Sequence, residues 1–90
     1  MDKKKALEIL KNDGHKNIVL IEKEASYFLD KHFHDFNVDI IIITGTFEIE
    51  LSNSNIILFP GSRLKLNKGE LHSEKAGSEG VSFLSARPSA

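Results

Sequence analysis

The chain contains no cysteine. That excludes a disulfide framework and thiolate chemistry, and it limits any bound metal to nitrogen and oxygen donors. Neither sign of charge dominates: 12 Lys and Arg stand against 13 Asp and Glu, for a formal charge of −1. A general electrostatic grip on nucleic acid or on an anionic membrane is therefore not expected. The cluster Lys3, Lys4 and Lys5 is short and reads as the solvated start of a helix. No apolar run approaches the roughly 20 residues that span a bilayer. No signal-peptide pattern opens the chain, so a cytoplasmic location is the default expectation. A Ser–His–Asp order, a phosphate loop and a nucleotide fingerprint are all missing.

What is present describes an ordinary globular protein: 28% charged and 40% hydrophobic residues in 90. A chain of this length supports one domain with one modest core, burying roughly 60–68% of its unfolded surface. Residues 1–14 read as an N-terminal helix segment, with Ala6, Leu7 and Leu10 on one face and Asp2 placed to cap its start. Residues 15–90 read as a single β-barrel domain.

From Gly14 onward the hydrophobic period changes to two. "NIVLIEK", "SYFLDKHFH", "VDIIIIT" and "TFEIEL" read as successive strands, followed by "IILF", "RLKL", "LHSEK" and "VSFLSA". Turn residues divide them: "SNSN" at 52–55, "PG" at 60–61, "NKGE" at 67–70 and "AGSEG" at 76–80. Seven or eight short strands so spaced indicate an all-β sandwich or barrel. In "VDIIIIT", Asp39, Ile41 and Ile43 point one way, and Val38, Ile40 and Ile42 the other. A strand apolar on both faces needs cover outside the barrel, from the helix or from a second copy of the chain. A homodimer is the expectation.

His32 and His34, two residues apart on a strand, share one face with backbones about 6.6 Å apart. Two imidazoles at that separation can meet on one ion at about 2.0–2.1 Å each. The same pair on a polar edge strand would look identical, so His-x-His alone decides nothing.

The rest of the chain adds to it. After His34 come four residues and Asp39, then five more and Gly45. Farther on stand Gly61, five residues, Asn67, Gly69, two residues, and His72. In this order the pattern resembles the two motifs of the cupins, the double-stranded β-helix or jelly-roll proteins, over roughly residues 20–86. The resemblance implies a cupin barrel with a short N-terminal helix. It further implies one divalent transition metal (iron, manganese, nickel, copper or zinc) held by His32, His34, Asp39 and His72.

The chain departs from the cupin pattern at three places. Asp39 stands where cupins usually carry Glu, shorter by one methylene, or about 1.5 Å of reach. Asn67 replaces the usual Pro, and Ala76 an Asn. Asp39 lies an odd number of residues from His34, so a turn or bulge in "DFN" must bring it to the histidine face. Glu74 shares the face of His72 by parity and is a rival carboxylate. Phe28, Asp30 and Phe36 share the parity of the two histidines, whereas His15 reads as an exposed loop residue.

By resemblance the barrel takes a small organic molecule. It could act as a dioxygenase, isomerase or lyase, as a ligand-binding sensor without turnover, or as a structural barrel without metal. Neither nucleic acid nor membrane is an expected partner.

Overall fold

Asp2 closes the start of helix α1 (Lys3–Asn12) by accepting a hydrogen bond from the Lys4 amide at 2.9 Å. That satisfies one of the donors a helix start leaves free. The structure, a computed structural model, describes residues 1–88; positions 89 and 90, the end of the expected barrel range, lie outside the described residues. Six strands follow the helix: β1 (Asn17–Lys23), β2 (Phe28–His32), β3 (Val38–Glu50), β4 (Asn55–Leu58), β5 (Arg63–Leu66) and β6 (His72–Arg87).

Every ladder is antiparallel, and all of them hang on the two long strands. β3 and β6 pair from Asp39 opposite Ala86 to Glu50 opposite Ser73. One half of β6 carries β1 and the other carries β2. One half of β3 carries β5 and the other carries β4. The sheet thus folds over on itself, and both halves turn their apolar faces inward. Val38, Ile40, Ile42, Phe47, Ile49 and Phe83 meet there in one buried cluster.

Seven or eight short strands were expected and six form, because "VDIIIIT" runs on into "TFEIEL" and "LHSEK" into "VSFLSA". The expected turn "AGSEG" is continuous strand. Both long strands round the barrel corner without leaving the ladder. The register slips between Ile42 and Thr44 and again between Gly45 and Phe47, as a bulge requires. Gly45 makes the corner possible. Its φ is +73°, and a Cβ there would lie 2.0 Å from the carbonyl oxygen of Gly80 on β6. Only a residue without a side chain permits that approach.

The outer face of β3 is covered by the helix. Ala6 and Leu10, both fully buried, pack with Ile41, Ile43, Leu84 and Ala86. Burying one such side chain contributes roughly 1.5–3 kcal/mol. The parity read from the sequence holds: Ile41 and Ile43 face the helix, while Val38, Ile40 and Ile42 face the barrel interior.

Gly45→Ala is expected to destabilise the fold by about 3 kcal/mol, through a forced positive φ and backbone overlap. Urea denaturation followed by circular dichroism checks this; a midpoint within error of the parent's would remove the corner from the account.

Candidate metal centre

His32 closes β2 and His72 opens β6, and the two face each other directly across the ladder. His34 lies just past β2, in the connection of residues 33–37. That connection is tied to the turn at 67–70 by backbone groups. The Gly69 amide donates to the His34 carbonyl at 2.9 Å, and the Lys68 amide donates to the Asn37 side chain at 2.7 Å. The turn is closed by Glu70 N–H on the Asn67 carbonyl at 3.0 Å. Gly69 has a φ of +80°, a conformation that a side chain disfavours. The two histidine-bearing segments therefore position each other through main chain, independent of the imidazoles.

The three rings converge. Centroids are 4.3 Å apart for His32 and His72, 5.2 Å for His34 and His72, and 5.3 Å for His32 and His34. One ring nitrogen from each lies within 4.8 Å of the others. The tautomers of two rings follow from their partners. His32 Nδ1 faces the Asp30 carbonyl at 2.9 Å, and His72 Nδ1 faces the Glu70 carbonyl at 3.0 Å. A carbonyl only accepts, so each Nδ1 carries a hydrogen, and in the neutral ring the lone pair then falls on Nε2. Both Nε2 atoms are buried without a hydrogen-bond partner among the described residues.

Glu74 completes the group. Its Oε1 accepts a hydrogen bond from the Tyr27 hydroxyl at 2.6 Å. Its Oε2 stands 3.5 Å from His72 Nε2 and 3.8 Å from His32 Nε2. Burial, and then the hydrogen bond and charge of Glu74, push the Tyr27 hydroxyl well above its ordinary pKa, so it stays a donor. Burial lowers the pKa of His34, and the neighbouring His72 and His32 lower it further. A neutral imidazole is the form that ligates a metal. Two buried lone pairs aimed at one point beside a carboxylate fit a cation held by nitrogen and oxygen donors.

Asp39 is not brought to this group. The chain does turn in "DFN", but Val38, not Asp39, faces the barrel interior when β3 begins. Asp39 points the other way and is nearly fully buried beneath the end of the helix. Arg63 grips it with two bonds, Nε to Oδ1 at 2.9 Å and Nη2 to Oδ2 at 2.6 Å. His15 Nε2 adds a third at 2.9 Å. Burial opposes ionisation of Asp39, yet these bonds outweigh it and hold its carboxyl below the usual range. The same Arg63 also reaches Asp13, just past α1. His15, expected as an exposed loop residue, is instead half-buried in this cluster.

Of the other candidates, Phe36 lies 5.4 Å from His34, centroid to centroid, and packs against the core. Phe28 points outward and is 59% exposed, because the register of β2 slips between Leu29 and His32. Asp30 orients His32 through its backbone carbonyl, whereas its carboxylate bonds the Lys31 amide. Tyr27 was overlooked in the sequence. It precedes β2, and its contact with Glu74 spans 47 positions, so nothing local marks it.

No protein-family model matches the chain, and no curated protein matches its sequence. Solved structures do. A cupin-2 domain containing protein from Shewanella frigidimarina is 25% identical, with a TM-score of 0.67 over 79% of this chain and 69% of that one. A cupin superfamily protein from Desulfitobacterium hafniense is 18% identical, with a TM-score of 0.70 over 82% of this chain and 67% of that one. This chain has the cupin fold. A third match is the DMSP lyase DddQ from Ruegeria pomeroyi, 18% identical with a TM-score of 0.67. There the match covers 80% of this chain but only 36% of the other. Set on this cupin scaffold, the three imidazoles occupy the barrel interior beside Glu74, and Asp39 lies on the outer side of the wall.

Two carboxylate variants separate these placements. Glu74→Gln is expected to weaken metal affinity about 10–100-fold. Asp39→Asn should leave metal affinity unchanged but cost about 3 kcal/mol of stability, since it breaks a buried pair. Metal titration and urea denaturation of both proteins check this, and the reverse pattern would restore Asp39 as a ligand.

A pH series tests the electrostatics. Because the folded state depresses the His34 pKa, the folded protein binds fewer protons there than the unfolded chain below about pH 6.5. Stability of the metal-free protein should therefore fall as pH drops from about 6.5 toward the lowered folded value. His34→Gln should show a shallower fall in thermal scans, and identical slopes would contradict the shift.

Proposed function

We propose that His32, His34 and His72, with Glu74 as the neighbouring carboxylate, hold one divalent transition metal inside the barrel, and that the protein binds or acts on a small organic molecule beside it. The pair of buried, unpartnered Nε2 atoms on His32 and His72 carries this reading. In a structural barrel those atoms would cost about 1–3 kcal/mol each with nothing in return. Three nitrogens and an oxygen suit iron, manganese, nickel, copper or zinc. When bound, such an ion supplies a Lewis acid for a ligand oxygen or lowers the pKa of water.

The chain's own residues divide the remaining work. The carbonyls of Asp30 and Glu70 orient His32 and His72 through Nδ1, which turns both Nε2 atoms toward the common centre. Tyr27 holds its proton against Glu74 Oε1, which leaves Oε2 turned toward the imidazoles. Val38 and Phe47 supply apolar walls to the cavity that His34 and Glu74 also line.

A binding module without turnover is the second reading. No connection between the described elements exceeds five residues, so nothing in them forms a lid over the site. Against it stands the likeness to a protein named as a DMSP lyase, which supports catalysis on a small substrate. We further propose one barrel domain over residues 15–90 and a homodimer. Among the described residues β1 is hydrogen-bonded on one side alone, and its Val19 and Leu20 are exposed.

Protein purified without a metal-affinity tag should contain close to one equivalent of transition metal by elemental analysis. His72→Ala should lose it while keeping its circular dichroism spectrum. Full occupancy in that variant would defeat the proposed ligand set.

A further inference from the structure

The chain has two arginines, and they are placed very differently. Arg63 is paired with two carboxylates. Arg87 ends β6 in the alternating series Phe83, Ser85, Arg87, whose members all line one interior cavity of about 60 Å³. The cavity's polar lining is His34, Glu74, Ser85 and Arg87, set among apolar side chains that include Val38 and Phe47. It therefore adjoins the imidazole cluster through His34 and Glu74.

Arg87 Nε is buried and has no hydrogen-bond partner among the described residues. Among those residues no carboxylate lies within ion-pair distance of its guanidinium either. Glu74, the carboxylate of the same cavity, spends Oε1 on Tyr27 and turns Oε2 toward His32 and His72. The Phe36 ring lies 6.0 Å from the guanidinium carbon, a cation–π contact that leaves the donor edge free. A guanidinium whose Nε is buried without an acceptor is costly unless a partner completes it.

We propose that Arg87 receives the carboxylate of a small organic acid, the molecule that the barrel binds beside the three imidazoles. The guanidinium fork matches a planar carboxylate through paired donors. A cavity of this size holds the equivalent of a few waters, which suits an acid of few heavy atoms. A phosphate ester would bury a second negative charge against apolar walls with one arginine to answer it. The inference rests on the metal-and-small-molecule reading for what stands at the other end of the ligand, but Arg87 can be tested apart from it.

The probes are acetate and pyruvate, with acetamide as the neutral control. In cobalt(II)-loaded protein, both acids should perturb the visible absorption of the metal, and acetamide should not. Arg87→Met should weaken acetate by at least about tenfold while leaving cobalt affinity unchanged, and Arg87→Lys should recover part of the loss. Equal acetate affinity in Arg87→Met and the parent overturns the inference and leaves the metal reading standing, as does acetamide binding as well as acetate.

The second arm uses metal-free protein and amide chemical shifts of Ser85 and Arg87 during acetate titration. If cobalt does not bind, the metal reading fails. Acetate shifts that vanish in Arg87→Met then uphold the carboxylate receptor, and shifts that are absent or survive the substitution overturn it. Should Arg87→Met fail to fold, Arg87→Lys and Arg87→Gln carry the same comparison.

Discussion

The ladder between β3 and β6 is the constraint on which everything else in this protein depends. Each of the other four strands is hydrogen-bonded to one of these two. Because the ladder bends at Gly45 and does not break, one pair of strands serves both halves of the barrel. His72 sits at the start of β6, and Arg87 at its end. Glu74, Ser85 and Arg87, from one strand, thus reach a single cavity because that strand has turned a corner between them. A straight strand of sixteen residues would hold its two ends about 50 Å apart.

Within the barrel, polar chemistry is confined to one end, where its demands are met unevenly. Each Nδ1 of His32 and His72 has a carbonyl, and Tyr27 has Glu74. Of the atoms left over, the two Nε2 face Glu74 Oε2, and the Arg87 Nε belongs to a side chain lining the cavity that Glu74 also lines. Unmet hydrogen-bonding capacity scattered through a core would signal poor packing. Gathered around Glu74, it is the feature on which the proposed cation and carboxylate sites rest.

Much of the architecture was legible because period-two patterning maps directly onto faces. "VDIIIIT" and "TFEIEL" gave their inward and outward residues correctly. Strand number was not legible, since a bulge at glycine and a turn at glycine look alike in sequence. For the site, His32 and His34 were paired by spacing and His72 was joined to them by the cupin resemblance, and the three do converge. Asp39 shows two kinds of reasoning in conflict. Parity placed it with Ile41 and Ile43 on the outer face, and the motif position placed it with the histidines. The structure follows parity within β3: Val38, not Asp39, faces the interior after the turn in "DFN". Glu74 was visible by the same parity. Arg87 had a local signal that went unused: along "VSFLSAR" the inward positions end in a serine and an arginine, polar groups where a plain core would continue apolar.

The outer ionic cluster has a consequence for how the molecule comes apart. Asp39 is buried under contributions from three places: Arg63 of β5, His15 beyond the helix, and, through Arg63, Asp13 at the helix end. Detaching α1 would wet Ile41 and Ile43 and at the same moment strip Asp39 of one of its donors. The helix is thus not a detachable lid on a finished barrel. Apolar contact and charge neutralisation at the same seam make the two parts cooperative, so that they melt as a unit.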